Sequence, residues 1–142
     1  MVEILLIEDS EHDAEMTIRA LKKNKLANGI IHLQNGVQAL DFLFGTGEFL
    51  GRNIQDRPKV ILLDLKMPKI DGIEVLERIK SNELTKRIPV VVLTSSKENP
   101  DMEKCYALGV NSYIVKPVGF SAFMDAVSQS GVYWVMLNEM PQ

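Results

Sequence analysis

Along this 142-residue chain, short aliphatic and β-branched runs alternate with longer stretches in which apolar residues recur every three or four positions. The runs occupy residues 2–7, 30–33, 60–63, 90–93 and 112–115. Such alternation predicts an α/β layer fold, because parallel strands need crossovers long enough to hold a helix. The runs at 2–7, 60–63 and 90–93 are almost wholly apolar, as expected of central strands covered on both faces. The two more polar runs suit the flanks of the sheet.

The intervening periodicities predict helices. A first spans 13–24, with Met16, Ala20 and Leu21 facing the sheet and Ser10 and Asp13 spaced as a capping box. A second starts near Gly36 and presents Val37, Leu40, Phe42, Leu43 and Phe44. A third runs over 72–82 on Ile73, Leu76 and Ile79, and a fourth over 101–108 has a weaker stripe of Met102, Cys105, Tyr106 and Leu108. Residues 45–58, rich in glycine and charge, predict a long exposed loop. A last stripe, Phe120, Phe123, Met124 and Val127, continues in spacing through Gly131 to Trp134 and Val135. Either that helix extends beyond the domain or a tail folds back after a break at Gly131. Residues 1–131 are read as one domain, and 132–142 as a helical extension or tail with no output domain.

Composition narrows the function classes. An apolar fraction of 46% suits one packed core rather than a disordered chain. A formal charge of −3, without a basic cluster, gives no field to hold nucleic acid or an anionic membrane. The apolar start meets Glu8 and Asp9 too soon for a secretion signal, and no run reaches membrane-spanning length. The lone Cys105 excludes an internal disulfide and suits a reducing cytoplasm, where it is read as a packed small residue. His12 and His32 lack metal-ligand spacing.

Four strand ends carry chemistry. Ile7 leads into Glu8 and Asp9, Leu63 into Asp64, Leu93 into Thr94-Ser95-Ser96, and Val115 into Lys116-Pro117. Ligand sites of open parallel sheets gather beyond the carboxyl ends of the strands. Glu8, Asp9 and Asp64 offer hard oxygen donors whose mutual repulsion calls for a small dication such as Mg²⁺, with the Lys66 backbone carbonyl as a further ligand. Asp64 is then an ionised nucleophile toward a phosphoryl group, Lys116 neutralises the equatorial oxygens, and Thr94 donates its hydroxyl to one of them. Taken singly, Glu8, Asp9 and Asp13 are ordinary helix-start acids, Asp64 a turn residue and Lys116 a solvated charge. Their convergence at four strand ends favours a site.

Glu8-Asp9, the run from Asp64 to Gly72 (DLKMPKIDG), Thr94-Ser95-Ser96 and Lys116-Pro117 together resemble the receiver domain of two-component response regulators. The resemblance covers nearly the whole chain. It implies a doubly wound, flavodoxin-like fold with sheet order 2-1-3-4-5, helices on both faces, and Mg²⁺-dependent phosphotransfer from a sensor histidine kinase to Asp64. Slow autodephosphorylation is its only other implied chemistry, so the protein is expected to be a phosphoacceptor rather than an enzyme. A cis bond between Lys116 and Pro117 is implied too, as is a switch in which Thr94 moves toward the phosphate and Tyr113 packs inward behind it. A fixed edge-strand aromatic is the other reading of Tyr113. Residues 42–58 and the tail with Tyr133 and Trp134 resemble a narrower group, the stand-alone regulators of bacterial phytochrome kinases. That group implies a light-sensing kinase partner and a homodimer. Tyr133, Trp134 and Met136 are read as its interface, with intrachain packing as the alternative.

Other functions fit less well. A phosphatase of similar sheet architecture would place an acidic residue two positions after its nucleophilic aspartate, where this chain has Lys66. A purely non-phosphorylated binding module would not need the full acidic set, and a DNA-binding regulator would need a recognition domain for which no residues remain. Lys66 and Ser96 are further residues placed to influence an attacking water.

Overall fold

The computed structural model describes residues 3–23, 29–116 and 121. The elements are β1 (Ile4–Ile7), α1 (Glu11–Lys23), β2 (Ile30–Leu33), α2 (Gly36–Phe44), β3 (Val60–Leu63), α3 (Gly72–Lys80), β4 (Val90–Thr94), α4 (Asn99–Ala107) and β5 (Ser112–Val115). The strands form one parallel sheet in the order β2-β1-β3-β4-β5. This is the α/β doubly wound arrangement expected of the sequence, with the three most apolar strands at its centre. All of β1, β3 and β4 is buried, whereas β2 and β5 are largely half-buried.

Successive strand residues point to opposite faces, and the core divides accordingly. Leu5, Ile7, Ile61, Leu63, Val90 and Val92 pack with α2, α3 and Cys105 of α4 on one face. Ile4, Leu6, Val60, Leu62, Val91 and Leu93 pack with Ala14 and Leu21 of α1 on the other. Here the expected face of α1 needs correction. Met16 is 59% exposed, and the sheet-facing stripe is buried Ala14 and Leu21 with half-buried Ile18, at the i, i+4, i+7 spacing of one helical face. Ser10 does cap this helix, accepting the Asp13 N–H at 3.2 Å, but the return bond expected from Asp13 is made by Glu8, whose Oε2 accepts the Ser10 N–H at 3.3 Å.

Residues 45–58 are more structured than a plain exposed loop. Gly45 ends α2 in the left-handed region, and a single 3-10 turn follows at Gly47–Phe49. Phe49 meets Phe42 edge to face at 5.2 Å between ring centres, and the Arg52 guanidinium lies 3.8 Å over the Phe42 ring. Arg52 also donates to the carbonyls of Asn53 and Asp56. One aromatic pair and one cation thus fasten the segment to α2. Ser121 apart, the expected final helix, together with the Lys116–Pro117 bond and the tail residues Tyr133, Trp134 and Met136, lies outside the described residues.

Candidate acidic site at the strand ends

Register places the chemistry. Ile7 pairs with Leu33 on one side and Leu63 on the other, so the residues following those strands emerge together. The Glu8 N–H donates to the Leu33 carbonyl and the Asp64 N–H to the Ile7 carbonyl, each at 3.0 Å, which carries the ladder past the strand ends. On the far side, the Lys116 N–H donates to the Thr94 carbonyl at 2.8 Å. Glu8 gains one more anchor from the edge strand: His32 Nε2 stands 2.7 Å from its carbonyl oxygen.

Carboxylate oxygens of Glu8, Asp9 and Asp64 all lie within 4.8 Å of one another. Glu8 and Asp64 are buried, and Asp9 faces solvent. Lys116 reaches into this cluster: its Nζ hydrogen-bonds Glu8 Oε1, stands 2.9 Å from Asp13 Oδ2, and lies 3.7 Å from Asp64 Oδ2. One ammonium therefore serves three carboxylates, and the pocket is short of positive charge. Burial, with the neighbouring Asp64, pushes the Glu8 carboxyl up from 4.5 to about 7 against the opposing pull of Lys116. For Lys116, burial acts downward, but Glu8, Asp13 and Asp64 outweigh it and hold the ammonium above its usual range. Such a set of hard oxygens with unmatched negative charge fits a divalent cation of the Mg²⁺ type.

The turn after Asp64 is closely fixed. The Lys66 N–H approaches Asp64 Oδ1 at 3.4 Å, and the Gly72 N–H donates to the Leu65 carbonyl at 2.9 Å. Lys69 takes a left-handed φ of 70°, and Asp71 caps α3 by accepting the Glu74 N–H at 3.0 Å. A cleft of about 370 Å³ opens beside this turn, bordered by Asp9, Lys66, Met67 and Asp101.

Thr94 is buried, and its Oγ1 accepts the Ser96 N–H at 3.2 Å. Ser96 donates to Asp101 Oδ2 at 2.6 Å, and its carbonyl accepts the Tyr113 hydroxyl at 3.0 Å. The Tyr113 ring is half-buried against the α2–α3 core. The Lys66 ammonium lies 3.7 Å from the same Asp101 carboxylate. Asp13 escaped the sequence reading as a site residue. Its partner Lys116 is 103 positions away, and local spacing marks Asp13 only as a cap partner.

A family model of the response regulator receiver domain matches residues 4–128, and the chain belongs to that family. It is similar to the bacteriophytochrome response regulator RtBRR, whose structure superposes with a TM-score of 0.84 at 48% identity, covering 99% of this chain and 85% of that one. Response regulator Rcp1 of Synechocystis sp. is 39% identical over 138 residues, spanning 97% of this chain and 92% of Rcp1. The crystal structure of the Mn²⁺-bound form of Rcp1 has a TM-score of 0.80 at 38% identity, with 100% of both chains covered. The probable methanogenesis regulatory protein FilR2 of Methanothrix harundinacea is 40% identical over 138 residues, covering 97% of this chain and 86% of FilR2. No helix among the described residues is long and apolar enough to cross a membrane.

Proposed function

We propose that this response regulator accepts a phosphoryl group from a sensor histidine kinase onto Asp64 and thereby changes a protein-binding surface. The observation that carries the reading is the gathering of Glu8, Asp9 and Asp64 within 4.8 Å, with Lys116 on the cluster. Among the described residues, that combination has a direct chemical use in phosphoryl transfer. Glu8, Asp9, Asp64 and the Lys66 carbonyl are the ligands proposed for Mg²⁺. When bound, the cation supplies the positive charge that draws a phosphoryl group into an otherwise repulsive pocket.

Within that pocket, an ionised Asp64 oxygen attacks the phosphorus of a phosphohistidine. The new O–P bond forms as the P–N bond breaks, and the electron pair leaves with the imidazole. The Lys116 ammonium neutralises one equatorial oxygen, and the Thr94 hydroxyl, whose oxygen accepts the Ser96 N–H, donates its proton to another. Tyr113, hydrogen-bonded to the Ser96 carbonyl, follows that loop. The switch is a population shift between two packings of β4, α4 and β5.

The similarity to RtBRR supports a bacterial phytochrome as the kinase, and the lone Cys105 supports a reducing cytoplasm as the place of action. Residues 132–142 are proposed as an extension carrying a homodimer contact through Tyr133, Trp134 and Met136. The test is incubation with acetyl phosphate in the presence and absence of Mg²⁺, followed by intact mass. A metal-dependent gain of one phosphoryl group, lost in Asp64→Asn, is expected. The same gain in Asp64→Asn would remove the assignment.

A further inference from the structure

Asp13 has no part in the mechanism above, yet it lies nearer to Lys116 than the proposed nucleophile does. Its Oδ2 is 2.9 Å from the ammonium, whereas Asp64 Oδ2 is 3.7 Å away, beyond hydrogen-bond reach. The lysine that must serve a phosphoryl group on Asp64, just past β3, is thus drawn toward α1, with Glu8 and Asp13 as its hydrogen-bonded partners.

The two partners differ in how easily they release a cation. The Glu8 side chain is 3% exposed, so stripping its lysine would leave a buried carboxylate uncompensated. The Asp13 side chain is 41% exposed, and water replaces the lysine there at small cost. Asp13 is nonetheless rigidly presented. Ser10 Oγ accepts its N–H at 3.2 Å, and its carbonyl accepts the Thr17 hydroxyl at 2.9 Å, so the carboxylate projects from a fixed first turn of α1.

We infer that Asp13 is a positioning residue that tethers Lys116 in the unphosphorylated protein, and that a phosphoryl group on Asp64 captures the ammonium from it. The inference rests on the reading of Asp64 as phosphoryl acceptor. Resting affinity for the phosphoryl group is lowered by the cost of that exchange, and Asp13 sets the cost.

Asp13→Asn, compared with the wild type, tests this with beryllofluoride at saturating Mg²⁺ as the phosphoryl mimic and Mn²⁺ alone as the metal probe. Release of the tether should tighten beryllofluoride binding by up to about five-fold, the upper end for a partly exposed ion pair. Mn²⁺ should bind more weakly, because a nearby negative charge is gone. Opposite movements of the two affinities support the tether; weakening of both means structural damage and overturns it. In a Lys116→Met background the gain from Asp13→Asn should vanish. An equal gain without the lysine means a long-range charge effect and also overturns it. Wild-type protein that binds no beryllofluoride would strike the Asp64 reading itself, whereas normal wild-type binding with no gain in Asp13→Asn strikes the tether alone.

Discussion

Gly72 stands directly against the backbone of Asp64: a Cβ at this position would lie 2.2 Å from the Asp64 carbonyl oxygen and 2.5 Å from Leu65 Cα. Helix propensity alone would favour alanine at the start of α3. Steric overlap with backbone is the larger effect, since neither atom is the end of a flexible side chain. Gly72→Ala should therefore cost about 1–3 kcal/mol, the range for overpacking, and should weaken Mn²⁺ binding by displacing Asp64. Gly51 provides the contrast. It has a left-handed φ of 93°, and a Cβ there would meet nothing within 4 Å. Its alanine variant should lose about 1 kcal/mol through backbone strain and leave metal binding intact. Denaturant unfolding and Mn²⁺ titration of both variants check the pair.

The buried Glu8 makes stability depend on pH in a definite direction. Its carboxyl is raised from 4.5 to about 7 in the fold, first by burial and then by Asp64. A raised acid favours the folded state below its unfolded value, and that contribution is lost as pH rises through the folded value. Metal-free protein should thus lose stability between pH 4.5 and about 7, and Glu8→Gln should flatten that slope. A dication competes with the same proton, so metal affinity should climb over the same interval. Thermal melts in chelator and metal titrations across the interval measure both.

Much of this architecture was legible locally. Strand positions follow from aliphatic runs, and the central placement of β1, β3 and β4 from their lack of polar positions. The acidic site was legible because its residues directly follow those runs. What escaped depends on long-range geometry. Met16 fits an apolar helical stripe as well as Ile18 does by composition, and only the placement of α1 on the sheet selects Ala14, Ile18 and Leu21. Phe49 and Arg52 sit in a stretch whose glycines and charges suggest an open loop, yet their ring and guanidinium both pack on Phe42 of α2. Asp13 joins the site through a lysine at the other end of the sequence.

Cys105 should be chemically silent in the native protein. It is fully buried, and burial, with Asp101 nearby, pushes its thiol up to about 11. Almost no thiolate exists near neutral pH, and the sulfur is shielded from reagents. A chromogenic disulfide reagent should find no reactive thiol in folded protein and one per chain in denaturant. Rapid labelling of the native protein would show that α4 opens readily.

The central claim is that Asp64, the carboxylate directly after β3, carries the phosphoryl group, and reductive trapping reads this at the residue itself. Phosphorylated protein treated with borohydride should contain homoserine at position 64 and aspartate elsewhere, when mapped by peptide mass spectrometry after reaction with a small phosphodonor and Mg²⁺. Homoserine at position 9 or 13, with residue 64 unchanged, would contradict the account.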